Sequence, residues 1–120
     1  MKAQQLVTPT IDDITLAALE NLKALEITRL DVRKLTSITN TLFICTGTSD
    51  RHCQSIADSV VEAAKKNGHM PLGEERDGGW ILVDLGEVVV HIMRQEVRDF
   101  YNLEKLWASG EIAKNKTSAK

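Results

Sequence analysis

The stretch that decides the fold reads WILVDLGEVVVHIM and runs from Trp80 to Met93. It contains two apolar runs that are separated by Gly86-Glu87. Glycine at the first position of a two-residue loop is typical of a type II′ turn, so the stretch is predicted to form a β-hairpin. The turn sets the register, which pairs Leu85 with Val88, Asp84 with Val89, Val83 with Val90, Leu82 with His91, Ile81 with Ile92 and Trp80 with Met93.

This register divides the hairpin into two faces of different chemistry. One face is purely aliphatic and has to lie under helices. The other, called the mixed face below, combines an indole, an imidazole and a carboxylate with apolar side chains, and its members are Trp80, Leu82, Asp84, Val89, His91 and Met93. Because the chain offers only three helical stretches, we expect the mixed face to be at least partly open to solvent.

The three helical stretches are recognised by apolar residues that recur every three or four positions. They cover residues 11–25, 50–67 and 95–107, and Thr10 and Ser49 are the natural N-caps of the first two. The last stretch carries more apolar side chains than one narrow stripe can bury. It is therefore predicted to present some of them to solvent or to a partner.

Three further segments are predicted to be extended. Residues 27–34 alternate between apolar and polar, which indicates a half-buried strand, and residues 41–46 form a short apolar run typical of a strand covered on both faces. A short piece at residues 69–72 would complete a strand–helix–strand unit and with it one parallel pair. The predicted fold is mixed α/β, with a four- to five-stranded mixed sheet and three helices mainly on one face.

Length and charge bound the organisation and the partners. The chain has 120 residues, 15 of them Lys or Arg and 17 Asp or Glu, giving a net charge of −2. Proteins that bind nucleic acid mainly through phosphates carry a basic excess, so that class is disfavoured. We expect one domain over residues 9–107, a flexible segment at residues 1–8 and a polar, disordered tail at residues 108–120.

The apolar segments and the cysteines of the sequence indicate the cellular compartment and the redox state of the protein. No run of about 18 apolar residues is present, and the first residues lack the apolar core of a signal peptide. A cytoplasmic location is therefore expected. The only cysteines, Cys45 and Cys53, lie in apolar patterns and are predicted to be reduced and largely buried.

The sequence contains no recognisable catalytic or metal-binding motif. The three histidines and two cysteines match no local zinc spacing, and no nucleophile elbow is present, so neither a metal nor a cofactor is predicted. Asp84 and Glu87 are three residues apart across a turn, the wrong parity for two carboxylates that hold magnesium on one strand. An enzyme is therefore not expected.

One segment could still bind an anion. Residues 47–52 place a Gly-Thr-Ser turn before a helix, where backbone N–H groups and the helix dipole attract phosphate, and Arg51 and His52 would reinforce this attraction. The segment lacks the glycine pattern and the lysine of known phosphate loops. A nucleotide-binding or nucleotidyltransferase-like enzyme that uses this helix start remains the alternative interpretation.

Aromatic residues cluster towards the C-terminus. Four of the five lie after residue 79, namely Trp80, Phe100, Tyr101 and Trp107. Large rigid aromatic side chains are the usual anchors of protein interfaces. Beside a partly open mixed face, this cluster indicates a protein-binding surface.

Seven short segments stand in a specific order along the chain: Ser37-Ile38-Thr39, Ile44-Cys45-Thr46-Gly47-Thr48-Ser49, Arg51-His52, Pro71-Leu72-Gly73, Trp80-Ile81-Leu82-Val83-Asp84-Leu85-Gly86, Val89-Val90-His91 and Tyr101-x-Leu103-Glu104-Lys105-Leu106-Trp107. In this order they resemble the ribosomal silencing factor family, also called RsfS or Iojap. The resemblance runs from about residue 11 to residue 107. It departs from the family at residues 74–79, which are predicted to form a variable loop.

The resemblance implies a fold related to nucleotidyltransferases without their activity. It implies binding to the large ribosomal subunit through the subunit's fourteenth protein, which blocks joining of the small subunit and represses translation when nutrients are scarce. By the same analogy, the partner-binding residues are Trp80, Leu82, Asp84, His91, Arg98, Tyr101, Leu103, Glu104 and Trp107. A minor contact of the lysine-bearing tail with ribosomal RNA and a homodimer of the free protein through its mixed face remain open.

Overall fold

The structure is a computed structural model and describes residues 9–103 and 105. Within these residues the elements are α1 (Ile11–Asn21), β1 (Leu25–Asp31), β2 (Thr41–Gly47), α2 (Asp50–Lys66), β3 (Gly73–Asp77), β4 (Trp80–Asp84), β5 (Val88–Arg94) and α3 (Gln95–Tyr101). The strands form one sheet in the order β1-β2-β5-β4-β3. The predicted mixed α/β class with three helices is confirmed.

The predicted hairpin forms with the predicted register. β4 and β5 are antiparallel, and Trp80 lies opposite Met93 and Val83 opposite Val90. Beyond the ladder, the Leu85 N–H donates to the carbonyl oxygen of Val88 at 2.8 Å. Gly86 has a φ of +90°, the positive value that a glycine adopts without strain.

The two faces of the sheet are covered unequally. α1 and α2 pack on the aliphatic face, where the main core contains the inner stripe of α2 and the aliphatic side chains of the hairpin. On the mixed face, a smaller buried cluster of Val32, Leu42, Ile44 and Met93 is partly covered by Val97 of α3. Trp80, Leu82, Asp84 and Val89 are only half-buried. The prediction of a partly open mixed face is confirmed.

The parallel pair of the sheet is formed by β2 and β5, its two buried central strands, and not by the segment that the sequence predicted. The sequence predicted a parallel pair completed by residues 69–72, but these residues are not a strand. Instead β2 runs parallel to β5, with Thr41 opposite Val88. Residues 74–79, predicted to be a loop, contribute most of β3, which lies antiparallel to β4.

Two helices are shorter than predicted. α1 ends at Asn21 rather than residue 25 because Lys23 takes a left-handed conformation, with a φ of +59°. β1 therefore begins at Leu25, ahead of the predicted residue 27. α3 ends at Tyr101 rather than residue 107, since Asn102 is also left-handed, with φ +50° and ψ +49°, although Leu103 and Lys105 beyond it are again helical.

Several predictions fall on parts of the chain outside the described residues. These are the flexible segment at residues 1–8, the tail at residues 108–120, and the site residues Glu104 and Trp107. The domain limits at residues 9 and 107 therefore stay predictions. No helix among the described residues is long and apolar enough to span a bilayer.

The unequal covering of the two faces predicts unequal effects of two neighbouring valines. Val90 is fully buried, whereas Val89 on the mixed face is half-buried. Val90→Ala is expected to lower the free energy of unfolding by about 1–3 kcal/mol, because it leaves a cavity under the helices. Val89→Ala is the matched control and should lower it by less. Chemical denaturation measures both, and a larger loss in Val89→Ala would invert the assignment of the faces.

Candidate functional site

Aromatic side chains from β4 and α3 meet on the mixed face. The rings of Trp80 and Tyr101 lie 4.7 Å apart between centroids, and Phe100 packs edge-on against Tyr101 at 4.9 Å. Phe100 is 79% exposed and Tyr101 48% exposed. Trp80, Phe100, Tyr101 and the half-buried Leu82 are together called the aromatic surface below. An exposed cluster of this kind is typical of a protein-binding site.

His91 fixes the orientation of Trp80. The indole Nε1–H of Trp80 donates to His91 Nδ1 at 3.0 Å, and the two rings are 5.8 Å apart. His91 is 9% exposed, and this burial lowers its pKa from 6.5 to about 4. The imidazole is therefore neutral at pH 7 and carries its proton on Nε2. His91, predicted to be a partner contact, lies beneath the aromatic surface and holds its central ring.

Arg98 attaches α3 to the sheet. Its Nη1 donates to Thr46 Oγ1 and its Nη2 to Thr28 Oγ1, both at 2.9 Å, and Glu26 Oε1 lies 3.8 Å from Nη1. The side chain is 5% exposed. The prediction of Arg98 as a direct partner contact is corrected here, because its guanidinium is used inside the domain. Its role is to position the helix that carries Phe100 and Tyr101.

The remaining predicted site residues are spread along the mixed face. Leu82 neighbours Trp80 on this face of β4, while Asp84 lies at the turn end of the strand and accepts a hydrogen bond from the Gly86 N–H. Leu103 is half-buried and packs against the smaller buried cluster. The structure thus brings Trp80, Leu82 and Tyr101 together and leaves Asp84 at some distance.

Three residues were not among the predicted site residues, although one belongs to the aromatic surface and two lie beside it. Phe100 was noted only as one of the clustered aromatics. Glu75 and Asp77 were assigned to a loop, but as part of β3 they lie opposite Leu82 and Trp80. Residues 73–77 show no apolar–polar alternation, so the sequence offered no local signal for this strand.

The possible anion site at residues 47–52 is largely used by contacts within the protein. The Thr48 N–H donates to His52 Nδ1 at 2.9 Å, and His52 Nε2 donates to the Leu22 carbonyl oxygen at 2.7 Å. Ser49 caps α2 as predicted, since its Oγ accepts from the His52 N–H. Its carbonyl oxygen accepts from the Cys53 N–H. Within residues 47–52, the backbone N–H groups of Thr48 and His52 are therefore already bonded, which disfavours phosphate binding here.

Both cysteines are free and buried, as predicted. Burial raises the pKa of the Cys45 thiol to about 12 and also raises that of Cys53. Thiols in this state are poor nucleophiles and poor metal ligands, because both roles need the thiolate. Among the described residues, no group of three or more His, Cys, Asp or Glu side chains is placed to hold a metal ion.

Comparisons with known proteins agree on one family. The sequence model described as "Ribosomal silencing factor during starvation" matches residues 7–120. Proteins named ribosomal silencing factor RsfS are similar to this chain. The one from Haemophilus influenzae is 44% identical over 98 residues, covering 80% of this chain and 96% of that protein. The one from Bacillus subtilis is 37% identical over 102 residues, covering 83% and 86%.

A solved structure supports the same relationship. A crystal structure of a protein from Chromobacterium violaceum superimposes with a TM-score of 0.79 at 39% identity, covering 90% of this chain and 88% of that one. The expected relation of the fold to nucleotidyltransferases stays a prediction.

His91 predicts a pH dependence of stability. Between pH 6.5 and about 4 the unfolded chain binds a proton at this position that the folded chain does not, so stability falls as the pH falls. The loss should reach about 3 kcal/mol near pH 4. His91→Gln keeps an acceptor for Trp80, and it should remove the part of the pH dependence of the unfolding free energy that His91 contributes. Urea denaturation at pH 7, 6, 5 and 4 measures it, and equal slopes in both proteins would contradict the assignment.

Because N–H groups at the start of α2 are already bonded within the protein, we expect neither nucleotide binding nor nucleotide turnover. A thermal-shift panel of nucleoside mono-, di- and triphosphates with magnesium should leave the melting temperature unchanged, and no nucleotidyl transfer or hydrolysis should be detected. A ligand at 100 times its dissociation constant would stabilise by about 2.7 kcal/mol, which such a panel detects readily. Turnover that vanished in Asp84→Ala would overturn this prediction.

Proposed function

The chain belongs to the ribosomal silencing factor family, and from this membership we propose that it binds the large ribosomal subunit through the subunit's fourteenth protein. Bound there, it blocks joining of the small subunit and represses translation when nutrients are scarce. Its place of action is the cytoplasm, where ribosomal subunits meet. No catalytic step is part of this function.

The observation that carries the proposal is the exposed and ordered aromatic surface. Trp80 is held from one side by His91 and from another by Tyr101. Side chains that are already fixed lose little conformational freedom on binding, so more of their contact energy appears as affinity. Their position on a partly open sheet face leaves room for a folded partner.

The proposed contact has an apolar centre and a charged margin. Trp80, Leu82 and Tyr101 fill pockets on the partner, and the predicted residues Leu103 and Trp107 extend this centre. Asp84 and Glu104 act at the margin, where charges set orientation and register more than they set affinity.

Inhibition follows from volume alone. A folded domain seated where the two subunits meet occupies space that the small subunit needs, so the two cannot occupy the site together. The net charge of −2 favours a ribosomal protein over ribosomal RNA as the main contact. The lysines at the end of the chain add at most a minor contact with RNA.

Substitutions in the aromatic surface test this function. The protein should cosediment with free large subunits and be scarce on joined ribosomes. Trp80→Ala and Tyr101→Ala should each weaken binding by about 2 kcal/mol, which is roughly thirtyfold, if they are interface anchors. Ile38→Ala is the control, because Ile38 is 81% exposed but lies at the turn end of the sheet. Its affinity should match wild type.

The double variant Trp80→Ala, Tyr101→Ala gives the sharpest result. Circular dichroism first establishes that it is folded, and light scattering then measures subunit joining. The variant should no longer block joining at concentrations where wild type does. Full inhibition by the folded double variant would show that this surface is not the one that acts.

A further inference from the structure

A groove beside Trp80 combines aromatic and acidic walls. The pairing of β3 with β4 places Asp77 opposite Trp80 and Glu75 opposite Leu82. Paired residues share a face of the sheet, so both carboxylates stand on the mixed face next to the aromatic surface. These four residues line a groove of about 410 Å³.

The charges on the two faces of β3 are balanced differently. On the face towards α2, Arg76 pairs with Glu74 at 2.9 Å and with Asp58 at 2.8 Å. On the mixed face, no basic side chain among the described residues forms an ion pair with Glu75 or Asp77. Within the part of the chain that the structure describes, the two negative charges of the groove therefore have no paired counter-charge, and they lie next to an indole ring.

We propose that this groove receives an arginine side chain of the partner, an inference that rests on the proposed function and specifies its chemistry. A cation is attracted both by the carboxylates and by the face of an indole ring. The planar guanidinium suits this combination because its face stacks on an aromatic ring while its N–H groups point outward in the guanidinium plane, towards the carboxylates. A lysine ammonium is a point charge that cannot make both kinds of contact as fully.

The groove is already formed in the free protein. Its indole wall is held by the hydrogen bond to His91 and the contact with Tyr101. Its acidic wall is held by the β3–β4 ladder, and Asp77 Oδ1 also accepts from the Gly78 N–H at 2.9 Å. A charged side chain can enter without rearrangement of the backbone.

The first test uses the isolated full chain. Nuclear magnetic resonance follows the indole N–H of Trp80 and the amides of Glu75 and Asp77 during titration with N-acetyl-arginine amide. Saturable shifts are expected at millimolar concentrations, with much smaller ones for the lysine and citrulline counterparts. Equal shifts from lysine would overturn the choice of arginine, and equal shifts from uncharged citrulline would overturn recognition of a cation.

Variants tie the response to the two carboxylates. Glu75→Gln, Asp77→Asn keeps the shape of the side chains but removes both charges, and the arginine response should be lost. Glu74→Gln is the matched control, since it lies on the same strand but on the opposite face. Its response should equal that of wild type, and an arginine response that survives in the double variant would refute the proposal.

The second test measures affinity for the large subunit. Glu75→Gln, Asp77→Asn should weaken binding at least about tenfold and flatten its salt dependence, whereas Glu74→Gln should not. If the double variant keeps its affinity while Trp80→Ala loses binding, the groove does not receive an arginine of the partner. The proposed function would still stand in that case. If wild type fails to bind large subunits, the proposed function fails, and the arginine titration alone decides the chemistry of the groove.

Discussion

The register between β4 and β5 is the constraint on which the rest of the molecule depends. Side chains alternate along a strand, so a slip of one residue would turn one strand over relative to the other. Either Val90 would then face the open side or Trp80 would face the helices. The glycine turn at Gly86 sets this register locally. The parallel pairing with β2 then extends it across the sheet, where Phe43 shares the face of Val90 and Ile44 shares that of His91. One turn thereby determines which surface is core and which is exposed.

The aromatic surface depends on polar contacts that lie underneath it. His91 anchors Trp80, and Arg98 anchors the helix that carries Tyr101. Such buried contacts fix the positions of side chains but add little net stability, because the desolvation of each polar group offsets most of the energy of the contact. Loss of either threonine partner of Arg98 would remove one hydrogen bond between α3 and the sheet and would loosen α3. The exposed rings owe their fixed positions to these contacts.

Local features were predictable from the sequence, and features that depend on distant pairing were not. The hairpin register, the Ser49 cap and the burial of both cysteines follow from neighbouring residues. The partner of β2 did not, since parallel pairing joins segments far apart in the chain. β3 was missed because Gly-Glu-Glu-Arg-Asp has low strand propensity and no apolar residue, and it exists as a strand because β4 offers it an edge. Arg98 was assigned to the partner surface by family resemblance alone, and no local pattern indicated that its guanidinium bonds to two threonines inside the domain.

The charged composition of β3 also protects the protein against aggregation through its open sheet edge. It is an edge strand, and all of its residues are exposed. An open edge beside exposed aromatic rings is the arrangement from which ordered aggregates grow, because a second chain can extend the sheet and stack its rings at once. Four consecutive charged residues, Glu74 to Asp77, oppose that growth, since a copy of the same strand would bring like charges together. The same acidic side chains that line the groove therefore keep the open sheet edge from acting as a template for aggregation.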